Sequence, residues 1–163
     1  MPDTAESLEH EPLGFLLRLH HVGYVVSNIE SSIRGFMHSL GMQWDGRIFH
    51  DPTQRVRVTF LATGPNCAQI ELVEPAGDQS PVATFLSKRG GGQHHLCYEV
   101  DDIEHALAVF KSRKAAIIQR PCPAVAFDNR RIAWFITREK LVVELLETGL
   151  NFPGQRHNTS ERD

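Results

Sequence analysis

Cysteine is scarce in this chain of 163 residues, with only Cys67, Cys97 and Cys122. The number is odd, the spacing is wide and no CxxC pair occurs. That excludes a disulfide framework and points to a reducing, cytoplasmic compartment. No stretch is apolar for long enough to cross a bilayer, so no membrane partner is expected. A large charge of one sign is also missing: the net charge is −3, which gives no pull toward nucleic acid or acidic membranes. The opening MPDTAESLEHEPLG is acidic and lacks a basic region followed by an apolar run, so it does not read as a secretory signal. The sequon Asn158-Thr159-Ser160 lies in a polar tail and carries no meaning in a cytoplasmic protein. What is present suffices for one compact domain, since 41% of the residues are hydrophobic.

The chain repeats itself. HHVGYVVSNIE at 20–30 and HHLCYEVDDIE at 94–104 are identical at six of eleven positions, at a constant offset of 74. A helix pattern follows each copy: Ile29, Ile33, Phe36, Met37 and Leu40 in the first, Ile103, Leu107 and Phe110 in the second. Ser27 with Glu30, and Asp101 with Glu104, have the spacing of helix caps, and Gly41 has the place of a C-terminal cap. Three strands are expected after each helix, at about 43–50, 55–63 and 67–74, then 115–120, 130–136 and 141–147. Ser80-Pro81 can start a short helix through Phe85 and Leu86. Arg89-Gly90-Gly91-Gly92 reads as a flexible joint, because it lacks the lysine and hydroxyl residue of a phosphate loop. The expected fold is therefore α+β: two tandem βαβββ modules, about 17–75 and 92–148, forming one curved mixed sheet with a cleft and with helices outside. The polar segments 1–16 and 149–163 read as loose tails.

Alternation along the strands then sorts the side chains. His20, Val22, Tyr24 and Val26 share one face, with His21, Gly23 and Val25 opposite; His94, Leu96, Tyr98 and Val100 share one face, with His95, Cys97 and Glu99 opposite. The bulkier row should pack under the helix, so His20 and His94 should point away from the cleft and His21 and His95 into it. On the closing strands Glu71 and Glu144 fall opposite their apolar neighbours. Taken singly, a strand histidine or glutamate is most often a solvated or satisfied group. Two of each at matching places, all on the helix-free face, make a site for one divalent metal ion. Zinc, cobalt, nickel, manganese and iron(II) all suit His21, Glu71, His95 and Glu144. Cys97 falls on the same face, where core packing is its expected role.

Paired βαβββ modules with ligands on the first and last strands resemble the vicinal oxygen chelate superfamily, which includes glyoxalase I. The resemblance spans residues 17–148 and is closest to methylmalonyl-CoA epimerases, through LHHVGYVV (19–26), IELVEP (70–75) with SPVATFL (80–86), and GGQHHLCYEVDDI (91–103). It implies the same four ligands, a homodimer and a small-molecule substrate, possibly a CoA thioester. The implied chemistry is bidentate chelation of substrate and stabilisation of an enolate, with Glu144 as ligand and base.

The match departs from that pattern twice. An epimerase needs a second proton carrier, expected in the hairpin that here reads His50-Asp51-Pro52-Thr53. Pro52 or Thr53 takes the place of a glutamate, leaving Asp51 and His50 as candidates; Asp51-Pro52 also reads as ordinary turn chemistry. The stretch Trp134–Lys140 replaces a His-Pro turn, and Arg130 and Arg131 before it can meet a phosphate or carboxylate of the substrate or simply face water. A glyoxalase-type isomerase of a hemithioacetal would use the same ligands. A ring-cleaving dioxygenase would not want Glu71 as a fourth protein ligand, and a drug-binding relative would not keep all four.

Overall fold

A computed structural model describes residues 12–149. Most of both tails, and the sequon at Asn158, lie outside the described residues. Among the described residues nine strands form one mixed sheet in the order β2-β4-β5-β1-β6-β9-β8-β7, with β3 also paired to β4. The first module supplies β1 (Arg18–Val25), α1 (Ile29–Leu40), β2 (Gln43–Trp44), β3 (Phe49–Asp51), β4 (Val56–Ala62) and β5 (Gln69–Pro75). After α2 (Ala83–Arg89), the second supplies β6 (Gly92–Val100), α3 (Ile103–Ser112), β7 (Ala116–Pro123), β8 (Arg131–Ile136) and β9 (Val142–Glu147). The sheet is pseudo-symmetric about the antiparallel β1–β6 seam, and each of these strands lies parallel to the last strand of its own module. Among the described residues no helix is long and apolar enough to cross a membrane.

Hydrophobic alternation builds this architecture. Leu72 and Ile33 join a cluster beneath α1, and Leu145 and Leu107 join its counterpart beneath α3. The intervening residues, Val73 and Leu146 among them, form two further clusters on the other face. Each fully buried Leu or Ile contributes about 1.5–3 kcal/mol. The stripe on α1 is narrower than its sequence pattern, since Met37 and Leu40 remain exposed.

Local boundaries differ from the sequence expectations in instructive ways. The strand expected at 43–50 is broken, because Gly46 takes φ +84° and Asp45 Oδ1 accepts from the backbone N–H of Arg47. The helix caps are Asn28 and Asp102, not Ser27 and Asp101: their carboxamide and carboxylate oxygens accept from Ser31 N and His105 N at 2.8 and 2.9 Å. Gly41 caps α1 in the left-handed conformation, as its position suggests. The Gly90–Gly92 run is a shaped turn: all three have positive φ, and a Cβ on Gly91 would lie 2.6 Å from the Val25 carbonyl oxygen.

Candidate metal centre and cavity

Two rows of residues cross the seam. In one, Glu71 on β5, Gly23 on β1 and His95 on β6 are successive register partners. In the other, His21 on β1, Cys97 on β6 and Glu144 on β9 are. Each row therefore sets a carboxylate and an imidazole on either side of a small residue, and pseudo-symmetry lays the two rows side by side. The result is a compact buried cluster: His21 Nε2 lies 3.2 Å from His95 Nε2, 3.4 Å from Glu71 Oε2 and 3.1 Å from Glu144 Oε2. His95 Nε2 lies 3.2 Å from Glu71 Oε2 and 3.7 Å from Glu144 Oε2.

A divalent ion fits this cluster on three grounds. Ligands about 2.1 Å from one ion stand about 3.0–3.4 Å apart in octahedral or tetrahedral arrangement, close to the separations here. Among the described residues Glu144 Oε2 is buried with no well-aligned hydrogen-bond donor, although the His21 ring lies beside it, and a carboxylate so placed is costly unless a proton on that ring or a cation offsets it. The cradle is also shaped for the ring of His95, since a Cβ on Gly23 would overlap it. Without an ion the cluster can be neutralised only by protons. Burial disfavours the charged form of His21, but Glu71 and Glu144 outweigh it and hold its pKa up at about 9. Burial pushes Glu71 up, and the His21 and His95 rings more than reverse this, leaving it below the usual carboxylate range.

His20 and His94 depart from their expected direction. The β1–β6 register slips twice, first between Leu19 and His21 and again between Gly23 and Tyr24. His20 is the extra residue on β1, and His94, skipped between Gln93 and His95, is the extra residue on β6. These two β-bulges re-aim the side chains. His20 Nδ1 comes within 2.9 Å of His21 Nδ1, and His94 Nδ1 within 3.1 Å of His95 Nδ1. Burial, and then the neighbouring imidazole, lower the pKa of both His20 and His94 to about 4.

The cluster opens into a cavity of about 310 Å³ whose wall is mainly apolar, with Val56, Val58, Val73, Ile132 and Ile136 prominent. Glu71, His95 and Glu144 line it, and so does Asp51. Asp51 is buried, and its Oδ1 accepts from the backbone N–H of Thr53 and of Gln54, both at 2.9 Å. It therefore both makes the turn and faces the cavity. His50, one residue earlier, is exposed and absent from the lining. Arg131 is also absent: it is held by Glu147 at 2.6 Å and Glu104 at 3.2 Å. Arg57, its counterpart at offset 74, pairs with Glu30 and Glu74 in the same way, so Arg131 belongs to a duplicated framework clamp. Arg130 pairs with Glu99 at 3.1 Å, lies over the Phe127 ring and borders a second hollow beside His20.

Several neighbours of the site escaped sequence reading. Trp134 sits edge-on to His95 at 4.6 Å, and Phe60, 74 residues earlier, sits edge-on to His21 at 5.5 Å. Phe127, from a single 3₁₀ turn (Val125–Phe127), stacks on His21 at 5.9 Å. Trp134 and Gln54 line the cavity, and their Nε1 and Nε2 have no hydrogen-bond partner among the described residues. The offset of 74 would have paired Trp134 with Phe60, but no signal in the sequence marks Gln54 or Phe127. Cys97 packs in the core as expected, and burial, then the Glu144 carboxylate, push its thiol pKa well up.

A model of the Glyoxalase/Bleomycin resistance protein/Dioxygenase superfamily matches residues 20–134. An ethylmalonyl-CoA/methylmalonyl-CoA epimerase of Cereibacter sphaeroides is 39% identical over 116 residues, 71% of this chain and 84% of that one. The mitochondrial methylmalonyl-CoA epimerase of Dictyostelium discoideum is 31% identical over 135 residues, covering 80% of this chain and 78% of its own. The crystal structure of methylmalonyl-CoA epimerase from Mycobacterium tuberculosis superposes with a TM-score of 0.70 at 28% identity, covering 79% of this chain and 86% of that one.

Proposed function

The chain belongs to the Glyoxalase/Bleomycin resistance protein/Dioxygenase superfamily, and from that premise we propose that it is a divalent-metal-dependent epimerase of a 2-alkylmalonyl thioester, methylmalonyl-CoA being the simplest. One observation carries the reading. Two carboxylates from different modules, Glu144 on β9 and Asp51 at the end of β3, line one mainly apolar cavity. Epimerisation requires that arrangement: one carboxylate removes the C2 proton from one face, and the other, already protonated, returns a proton to the opposite face. In the reverse direction the roles exchange.

His21, Glu71, His95 and Glu144 would hold the ion. When bound, it would supply a Lewis acid for two substrate oxygens and for the negative charge that develops as the proton leaves. Everything else falls to the chain itself. The valine and isoleucine walls exclude water and accept the alkyl branch. Trp134 Nε1 and Gln54 Nε2, donors with no acceptor among the described residues, can bond a substrate oxygen. Among the described residues no lysine or arginine lines the cavity, which fits a phosphate-bearing carrier that stays outside while only the acyl end enters. Positioned acid–base catalysis of this kind contributes typically ~10²–10⁴ in rate.

Proton NMR of methylmalonyl-CoA in deuterated buffer, with cobalt-loaded protein, tests the reading. Loss of the C2 proton signal well above the protein-free rate, abolished in Glu144→Gln, is the expected result. A metal-loaded protein that leaves the C2 proton in place would overturn this substrate.

A further inference from the structure

The β-bulges at His20 and His94 have a chemical consequence. His21 and His95 turn their Nε2 atoms toward each other, 3.2 Å apart, and toward the two carboxylates. An ion held there needs the lone pair of each Nε2, so each ring must carry its proton on Nδ1. In both cases the atom facing that proton is the Nδ1 of the preceding histidine, at 2.9 and 3.1 Å. Such a contact works in one direction only: the bulge histidine accepts at Nδ1 and keeps its own proton on Nε2. Were it to donate instead, its neighbour would carry a proton on Nε2 and could not bind the ion.

We propose that His20 and His94 are positioning residues, each accepting from the Nδ1–H of the next histidine and so fixing the ring plane and tautomer with which His21 and His95 meet the metal. The inference rests on the metal-centre reading above. Both bulge rings are held in place: His20 lies edge-on to Phe127 at 5.5 Å and Phe60 at 6.4 Å, and His94 lies edge-on to Phe85 at 5.0 Å. Without the slips in register both rings would fall on the helix side of the sheet, out of reach of the ligands. The doubled histidine of each repeat is thus a ligand together with its orienting acceptor, built from adjacent residues on one strand.

Competition of the purified protein for cobalt(II) and zinc against a chromophoric chelator tests this. His20→Phe and His94→Phe should each weaken affinity about 10- to 100-fold, the usual cost of losing the partner of a ligand histidine. His20→Asn and His94→Asn, whose Oδ1 can stand near the lost Nδ1, should recover most of it. Phenylalanine variants that melt like the parent without metal yet bind within twofold of it overturn the proposal. Ring ¹⁵N NMR of the metal-loaded parent reads the same point without mutation. Protons on Nδ1 of His21 and His95 and on Nε2 of His20 and His94 are expected, and a proton on Nδ1 of either bulge histidine overturns it. Neither assay uses substrate, so failure here is distinct from failure of C2 exchange. A parent chain that binds no divalent ion overturns both readings.

Discussion

At position 23 the first module has glycine, and at the equivalent position 97 the second has cysteine; each lies across the seam from the other module's candidate ligand histidine. Gly23 leaves room for the His95 ring, which a Cβ would overlap. Cys97 faces His21, packs in the core beside Phe127 and touches Glu144. The same divergence runs outward from the ligands. Phe60 sits on His21 where Trp134 sits on His95. The hairpin of the first module brings Asp51 to the cavity, and the corresponding connection of the second brings Phe127. The four candidate donors, the bulges and the arginine clamps are duplicated, whereas Asp51 and Phe127 on the cavity wall have no like residue at the matching place, where Val125 and Thr53 stand. Two-fold repetition can build a symmetric metal cage, but a cavity that treats the two faces of a substrate carbon with different groups must break the symmetry.

The largest effects should come from the duplicated set. His21→Ala and His95→Ala should lose stoichiometric metal by elemental analysis and lower C2 exchange on the order of 10³-fold or more, equally in the two modules. A large inequality would mean that one module dominates the centre. Asp51→Asn should lower epimerisation about 10²–10⁴-fold, while slow deuterium exchange persists for the one epimer whose proton faces Glu144. His50→Ala should leave both rates unchanged, because that side chain lies outside the cavity.

Exchanging the small residues sharpens the comparison further. Gly23→Cys, which makes the first module like the second, should displace His95 and weaken metal binding at least tenfold by chelator competition. Cys97→Gly should retain the metal and lose on the order of 1–3 kcal/mol in urea denaturation through its cavity. The metal-free cluster also predicts a pH signature. His21 has a pKa of about 9 in the fold against 6.5 otherwise. Its stabilisation is therefore complete below pH 6.5 and lost as pH rises through 9. The melting temperature of chelator-treated protein should fall over that interval, whereas metal-loaded protein should not follow it, because metal competes with the same protons. Smallest are the framework effects. Arg57→Met and Arg131→Met should each cost about 1 kcal/mol or less, as partly exposed ion pairs do, and leave exchange kinetics unaltered. An Arg131→Met variant with raised KM would return that residue to the substrate.

The repeat was legible because duplicated β-strands and helices keep their apolar period, and an offset of 74 ties Phe36 to Phe110 as firmly as His21 to His95. Period two along β5 and β9 likewise sets Glu71 and Glu144 opposite their apolar neighbours, which places the four donors on one face before any coordinates exist. The caps fall one residue later than the sequence spacing suggests in both modules, since Ser27-Asn28 and Asp101-Asp102 each offer adjacent capping side chains and only backbone geometry selects between them. His20 and His94 defy simple alternation for a deeper reason: alternation presumes an unbroken register, and a bulge is a property of two strands, not one. Asp51, His50, Arg130 and Arg131 are chemically equivalent candidates in the sequence, and what separates them is which wall each meets. By itself, then, the sequence determined the modules, the sheet faces and the donor set, all governed by local period. Only the tertiary structure decided the rows across the seam, the bulges and the cavity wall, because these depend on register between segments about 74 residues apart.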